Sequence, residues 1–233
     1  MNRLIKNNDY FIGLHAFLAI VFTVAKPLVL PYILVIFAYG ALRILQTRDK
    51  NHAAGLFVAY IVGIEVFLRM TKAAPLHEFG KYSISALLFL GLMVSSRSNK
   101  KSLIFFVYFL LLVLSVPQTL SSVGDFAEAR KKISFNLSGP LTLAMAAMYF
   151  YKTSIDYSKL NRIIVNILSP ILMTTIYVIL NTKALSEIEF GPYSMAETSL
   201  FGSNQLSTLL GSGILLSLLI MVIPQLKPFK YKF

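Results

Sequence analysis

Residues 10–45 read YFIGLHAFLAIVFTVAKPLVLPYILVIFAYGALRIL. Over these 36 residues the polar interruptions are His15, Lys26 and Arg43, and Lys26-Pro27 is the only break near the middle. As one straight helix the stretch would be about 54 Å long, against a hydrocarbon core of about 30 Å, so one span is excluded. The reading that fits is two membrane helices folded back on each other at Lys26-Pro27. The rest of the chain repeats the pattern. Charge clusters and prolines mark off apolar runs at 10–25, 27–45, 53–71, 82–96, 103–119, 133–151, 163–180 and 206–224. The expected fold is therefore all-α: a polytopic membrane helical bundle of about eight spans, forming a single transmembrane domain over 1–233.

Composition supports this. Of 233 residues, 56% are hydrophobic and 14% charged, the latter about half the usual share of a soluble domain. A soluble fold of this size could not hide that much apolar surface. There is no cysteine, so thiolate chemistry and disulfides are excluded. Three scattered histidines, His15, His52 and His77, do not suggest a zinc site, and neither metal nor cofactor is expected.

The net charge of +12 is first a question of sidedness. With the N-terminus inside, 14 of the 22 Lys and Arg fall on inside segments and 7 outside, Arg69 lying within a span. That bias predicts both termini in the cytoplasm, and it makes nucleic acid an unneeded partner. The first run, behind Arg3 and Lys6, reads as an uncleaved signal anchor. Loops 120–132 and 181–205 then face outward.

Three groups of residues invite a functional reading. In the third run Glu65 and Arg69 stand four apart, on one helix face and in the favourable order. Glu65 lies about 18 Å along the helix and Arg69 about 24 Å, so Glu65 is deep in the hydrocarbon. The pair reads either as a buried strut or as Glu65 orienting Arg69 toward an anionic ligand, with Lys72 and Lys81 nearby. Gly55, Ala59 and Gly63 form a small-residue stripe suited to close helix contact. In GDFAEARKKISFNLSGP, residues 124–140, Arg130, Lys131 and Lys132 place cations on the side that has few. They read as snorkelling residues or as a phosphate clamp. Gly139-Pro140 is a candidate helix start. In FGSNQLSTLLG, residues 201–211, Ser203 or Asn204 is a candidate N-cap whose helix start faces outward and favours an anion. Together these elements suggest a diphosphate at the outer leaflet.

The blocks IEVFLRMTKA…EFGKYS, ARKKISFNLSGPL and FGSNQLSTLLG also resemble, in order, the O-antigen ligase and O-antigen polymerase family of bacterial inner-membrane proteins. The resemblance covers roughly residues 60–215. It implies an all-helical protein that handles undecaprenyl-diphosphate-linked glycan on the periplasmic side, by metal-independent glycosyl transfer, with Arg69 and Arg130 holding the diphosphate. This sequence departs from the pattern at Ser203, where relatives often have proline. It also stops before the family's later spans and histidine-bearing loop. The resemblance thus implies an N-terminal portion of such a fold, with no catalytic residue assigned, or a chain whose membrane partner supplies the rest. The alternatives are a transporter or flippase for an anionic lipid-linked substrate, and a non-catalytic subunit that binds the carrier.

Overall fold

The computed structural model describes residues 2–76, 78–95, 100–181 and 203–226. Among these the secondary structure is helical. In chain order the helices are α1 (Asn2–Val24), α2 (Val29–Thr47), α3 (Ala53–Met70), α4 (Phe79–Val94), α5 (Ile104–Val113), α6 (Val116–Ser122), α7 (Phe126–Phe150), α8 (Tyr157–Asn181) and α9 (Ser203–Val222). Each of the eight apolar runs falls on a helix, and the protein is an all-α membrane protein. Among the described residues six segments are long and apolar enough to cross a bilayer: Lys26–Thr47, Ala53–Met70, Ile104–Ser122, Phe126–Phe150, Tyr157–Asn181 and Gln205–Val222. Asn8–Val24 and Phe79–Val94 are shorter apolar helices.

The break between the first two helices lies where the sequence places it. Ala25 leaves the helical region, and a short 3-10 turn over Lys26–Leu28 has Pro27 near its start. The Phe22 and Tyr32 rings are 5.2 Å apart across this turn, where ten residues of unbroken helix would separate them by about 15 Å. The fifth run is interrupted. Leu114 and Ser115 end α5 with a tight turn, Ser115 N–H donating to Leu112 O at 3.1 Å, and Pro117 opens α6.

α7 differs most from the sequence expectation. It starts at Phe126 rather than 133, and Pro140 lies inside it instead of at its start. The cause is Asp125, whose carboxylate accepts from Ala127 N–H at 3.2 Å and Glu128 N–H at 3.1 Å. This N-cap starts the helix about two turns before the apolar run. Pro140 removes one backbone donor, a loss that membrane helices tolerate.

The described chain forms two compact units. The first draws on Met1–Ile36, Ala59–Pro75 and Ile155–Phe233, the second on Phe37–Val58 and Leu76–Ser154. In the first, α1, α3 and α8 run parallel: His15 meets Tyr60, Phe22 packs on Phe67 and Phe67 on Tyr177. Lipid tails are as apolar as these side chains, so burial alone does not hold the helices together; close packing does. Gly63 supplies it. A Cβ there would lie 2.6 Å from both the Ile167 carbonyl oxygen and Pro170 Cγ.

In the second unit α4 and α7 run parallel. Ser85 bonds Thr142 at 3.0 Å, and one turn and a half further on Gly91 lies against Tyr149. The α5–α6 segment runs back along α7, with Phe105 against Tyr151. The small-residue stripe of α3 is therefore divided: Gly63 meets α8 in the first unit, and Gly55 makes ordinary contact with Tyr149 and Phe150 in the second.

α8 also starts earlier than its apolar run, because Asp156 caps it. The carboxylate accepts from Lys159 N–H at 2.8 Å and pairs with the Lys159 ammonium at 3.1 Å. The backbone N–H and then the ammonium of Lys159 hold the carboxyl below its ordinary value of 3.8. A carboxyl depressed on folding stabilises above its unfolded pKa, and that contribution is lost as pH falls through the folded one. Asp156→Asn keeps the cap but not the charge. It should unfold slightly more easily than wild type at neutral pH and converge with it well below pH 3.8. Thermal unfolding in detergent across that range is the check.

Candidate functional site

In the first unit Glu65 and Arg69 bond as their spacing predicts, Arg69 Nη2 donating to Glu65 Oε1 at 2.5 Å. The Arg69 side chain is 12% exposed and that of Glu65 24%. Arg69 occupies the last turn of α3, where a cation also suits the helix dipole. Just beyond it, Lys72 takes a left-handed conformation, φ 54°. Lys72 N–H bonds Arg69 O, and Ala73 N–H bonds Leu68 O, each at 3.0 Å. This closes α3 in a Schellman turn and leaves the Lys72 side chain exposed.

The second unit carries a polar seam between α4 and α7. Ser134, Ser138 and Thr142 recur every four residues on α7, so they line one stripe. Each meets α4. Tyr82 and Ser134 hydroxyls bond at 2.7 Å, and Thr142 Oγ1 donates to Lys81 O at 3.0 Å. Ser138 Oγ donates to Glu78 Oε2 at 3.4 Å. Glu78 is buried, and the Lys81 ammonium pairs with it at 2.6 Å while lying 5.5 Å from the centre of the Phe135 ring. Burial of a carboxylate is tolerated because a cation and a hydroxyl replace its water. Lys81 thus spends its charge on Glu78 and fixes α4 against α7.

One turn before Ser134, the residue that bonds Tyr82, Arg130 stands on the same stripe. Because α4 and α7 are parallel, the starts of both helices lie at one end of the unit. Lys132 pairs with Glu128 at 2.7 Å. Arg130 and Lys131 are exposed. Asp125 already takes the first backbone N–H groups of α7, so attraction for an anion here comes from the side chains.

The residues predicted to share one ligand are distributed. Arg69, Lys72 and the start of α9 belong to the first unit; Lys81, Arg130 and Lys131 belong to the second. Ser203 and Asn204 form the first turn of α9, and their side chains lie outside the described residues, as do His77 and residues 182–202.

Two polar networks carry no obvious sequence signal. Asp49 is fully buried; its carboxylate accepts from Ala54 N–H at 2.9 Å and Tyr149 O–H at 2.7 Å. With His52 edge-on to Tyr149, it ties the start of α3 to the end of α7. The clue was a carboxylate four residues ahead of an apolar helix. The second network is His15, buried on α1. Its Nδ1 faces Phe11 O at 2.7 Å. A carbonyl only accepts, so Nδ1 carries the proton, and Nε2 accepts from Tyr60 O–H at 2.9 Å. Tyr60 in turn accepts from Tyr32 at 2.5 Å.

No family model, no curated protein sequence and no solved structure matches the chain.

Proposed function

We propose that this chain is a bacterial inner-membrane protein of surface-polysaccharide assembly. In this reading it holds an undecaprenyl-diphosphate-linked glycan at the periplasmic face for O-antigen ligation or polymerisation. The observation that carries the reading is the pair Arg130 and Lys131, exposed at the start of α7, at the end of the unit where α4 also begins. A planar guanidinium matches two phosphate oxygens at once, and an adjacent ammonium adds charge without demanding geometry. The Glu65–Arg69 pair, with Lys72 a turn beyond, offers a second cationic element. The three sequence blocks that resemble the ligase and polymerase family contain these residues. Eight spans with both termini in the cytoplasm would put Lys72, Lys81 and Arg130 on the periplasmic side. A transporter or flippase is the second reading, favoured by the His15–Tyr60–Tyr32 chain inside the apolar segments. Ion-coupled flux of substrate through proteoliposomes would select it.

Two experiments test the first reading. The chain has no cysteine, so Ser122→Cys and Thr153→Cys can be labelled singly. Ser122→Cys should react with an impermeant maleimide in intact spheroplasts and Thr153→Cys only after lysis. The reverse pattern would invert the assignment. In carrier binding, Arg69→Lys should retain protein level but bind about tenfold more weakly, because lysine loses the planar fork. Wild-type binding by Arg69→Lys, with Arg69→Ala lowering only protein level, would make the pair a strut.

A further inference from the structure

Phe11 and Val165 floor a cleft of about 250 Å³ whose remaining lining is Asn8, Arg162 and Asn166. All five belong to the first unit, in the N-terminal halves of α1 and α8. Since α1, α3 and α8 are parallel, this is the opposite end of the unit from Arg69. The position is telling in a membrane protein. Arg162 directly precedes the apolar run 163–180, and Asn8 lies two residues before the run 10–25. That is the level at which hydrocarbon gives way to lipid headgroups. The floor is apolar and the rim holds a guanidinium, as a phospholipid requires of its acyl end and its phosphate.

The hydrogen-bond inventory narrows the headgroup. Arg162 is exposed and supplies donors for a phosphodiester. Asn166 Nδ2 already donates to Arg162 O at 2.8 Å, which leaves its side-chain oxygen as an acceptor. Asn161, one helical turn before Val165, has a buried Oδ1 with no hydrogen-bond partner among the described residues. A buried acceptor without a donor is costly. Asn161 neighbours Arg162 on α8 but is not part of the lining; the cleft itself offers a cation for phosphate and the Asn166 side-chain oxygen as an acceptor for a hydroxyl. An ammonium headgroup would be repelled by Arg162. Lys159, its ammonium held by Asp156 at 3.1 Å, adds to the positive character of this end.

We infer that this cleft binds an anionic, hydroxyl-bearing phospholipid of the phosphatidylglycerol type from the bilayer. The site is separate from the diphosphate reading and stands without it.

The chain contains no tryptophan, so Phe11→Trp gives a single fluorophore on the cleft floor. In nanodiscs, dibrominated phosphatidylglycerol should quench it at roughly tenfold lower mole fraction than dibrominated phosphatidylcholine. Adding Arg162→Ala should abolish that preference, while Lys159→Ala should leave most of it. Native mass spectrometry of the otherwise wild-type chain, with and without Arg162→Ala, reads retained phosphatidylglycerol without relying on the tryptophan. Retention should fall by a similar factor. Equal quenching by the two lipids would overturn the assignment. So would equal losses from Arg162→Ala and Lys159→Ala, since that marks a diffuse field. Displacement of the brominated lipid by inorganic phosphate would make the cleft a free-anion site and overturn the lipid assignment too.

Discussion

Lys81→Ala should be among the most damaging single substitutions in the second unit, costing about 3–5 kcal/mol, the range for removing one partner of a buried ion pair. Glu78 is 3% exposed and loses the ammonium 2.6 Å away. Ser138 at 3.4 Å is a poor substitute. Because Lys81 is itself 28% exposed, water entering its vacated space should keep the loss at the lower end. Glu78→Gln removes the charge but keeps a group for Ser138 and should rescue Lys81→Ala in the double variant. Lys132→Ala is the control. Its pair with Glu128 lies in the open, where water screens the charges and the pair contributes little. Thermal unfolding in one detergent ranks all four. If Lys81→Ala and Lys132→Ala cost the same, the α4–α7 seam is not held by this pair.

Gly63→Ala should destabilise the first unit although alanine is the better helix former. The new methyl would stand 2.6 Å from the Ile167 carbonyl oxygen and from Pro170 Cγ. Neither is the movable tip of a side chain, so α8 must shift from α3. Overpacking of this kind costs about 1–3 kcal/mol, against a propensity gain of about 1 kcal/mol. Gly139→Ala provides the contrast. Position 139 lies within α7, with nothing within 4 Å of an added Cβ. There the propensity gain should survive, and the variant should be as stable as wild type or slightly more so. An equally well-folded Gly63→Ala would mean that α3 and α8 do not approach as closely as their backbones indicate.

Much of this architecture was readable because length and hydropathy are strong constraints in lipid. The interruption at Lys26-Pro27 needed only the arithmetic of helix rise. Glu65 and Arg69 needed only the number four. Reading failed where a short-range polar contact overrides the apolar pattern. Asp125 starts α7 before its hydrophobic run, so Arg130 to Lys132 are helical rather than part of a loop. Once the helix is taken from Phe126, the stripe Arg130, Ser134, Ser138, Thr142 is evident; with a start at Pro140 it is invisible. Lys81 looked like a free cation because Glu78, three residues earlier, was not read as its counter-charge. Asp49 looked like one more loop carboxylate because its partner Tyr149 is a hundred residues away. Long-range pairings of this kind leave no spacing in the sequence.

The proposed function rests on recognition of a lipid-linked diphosphate, and equilibrium binding to the purified chain in nanodiscs tests it most directly. Undecaprenyl diphosphate should bind saturably and at least about tenfold more tightly than undecaprenyl monophosphate, since the second phosphate adds charge-assisted bonds. Combining Arg130→Ala with Lys131→Ala should remove that preference with little change in stability, because both side chains are exposed. Equal binding of the two carriers, or a diphosphate preference untouched by the double substitution, would contradict the account.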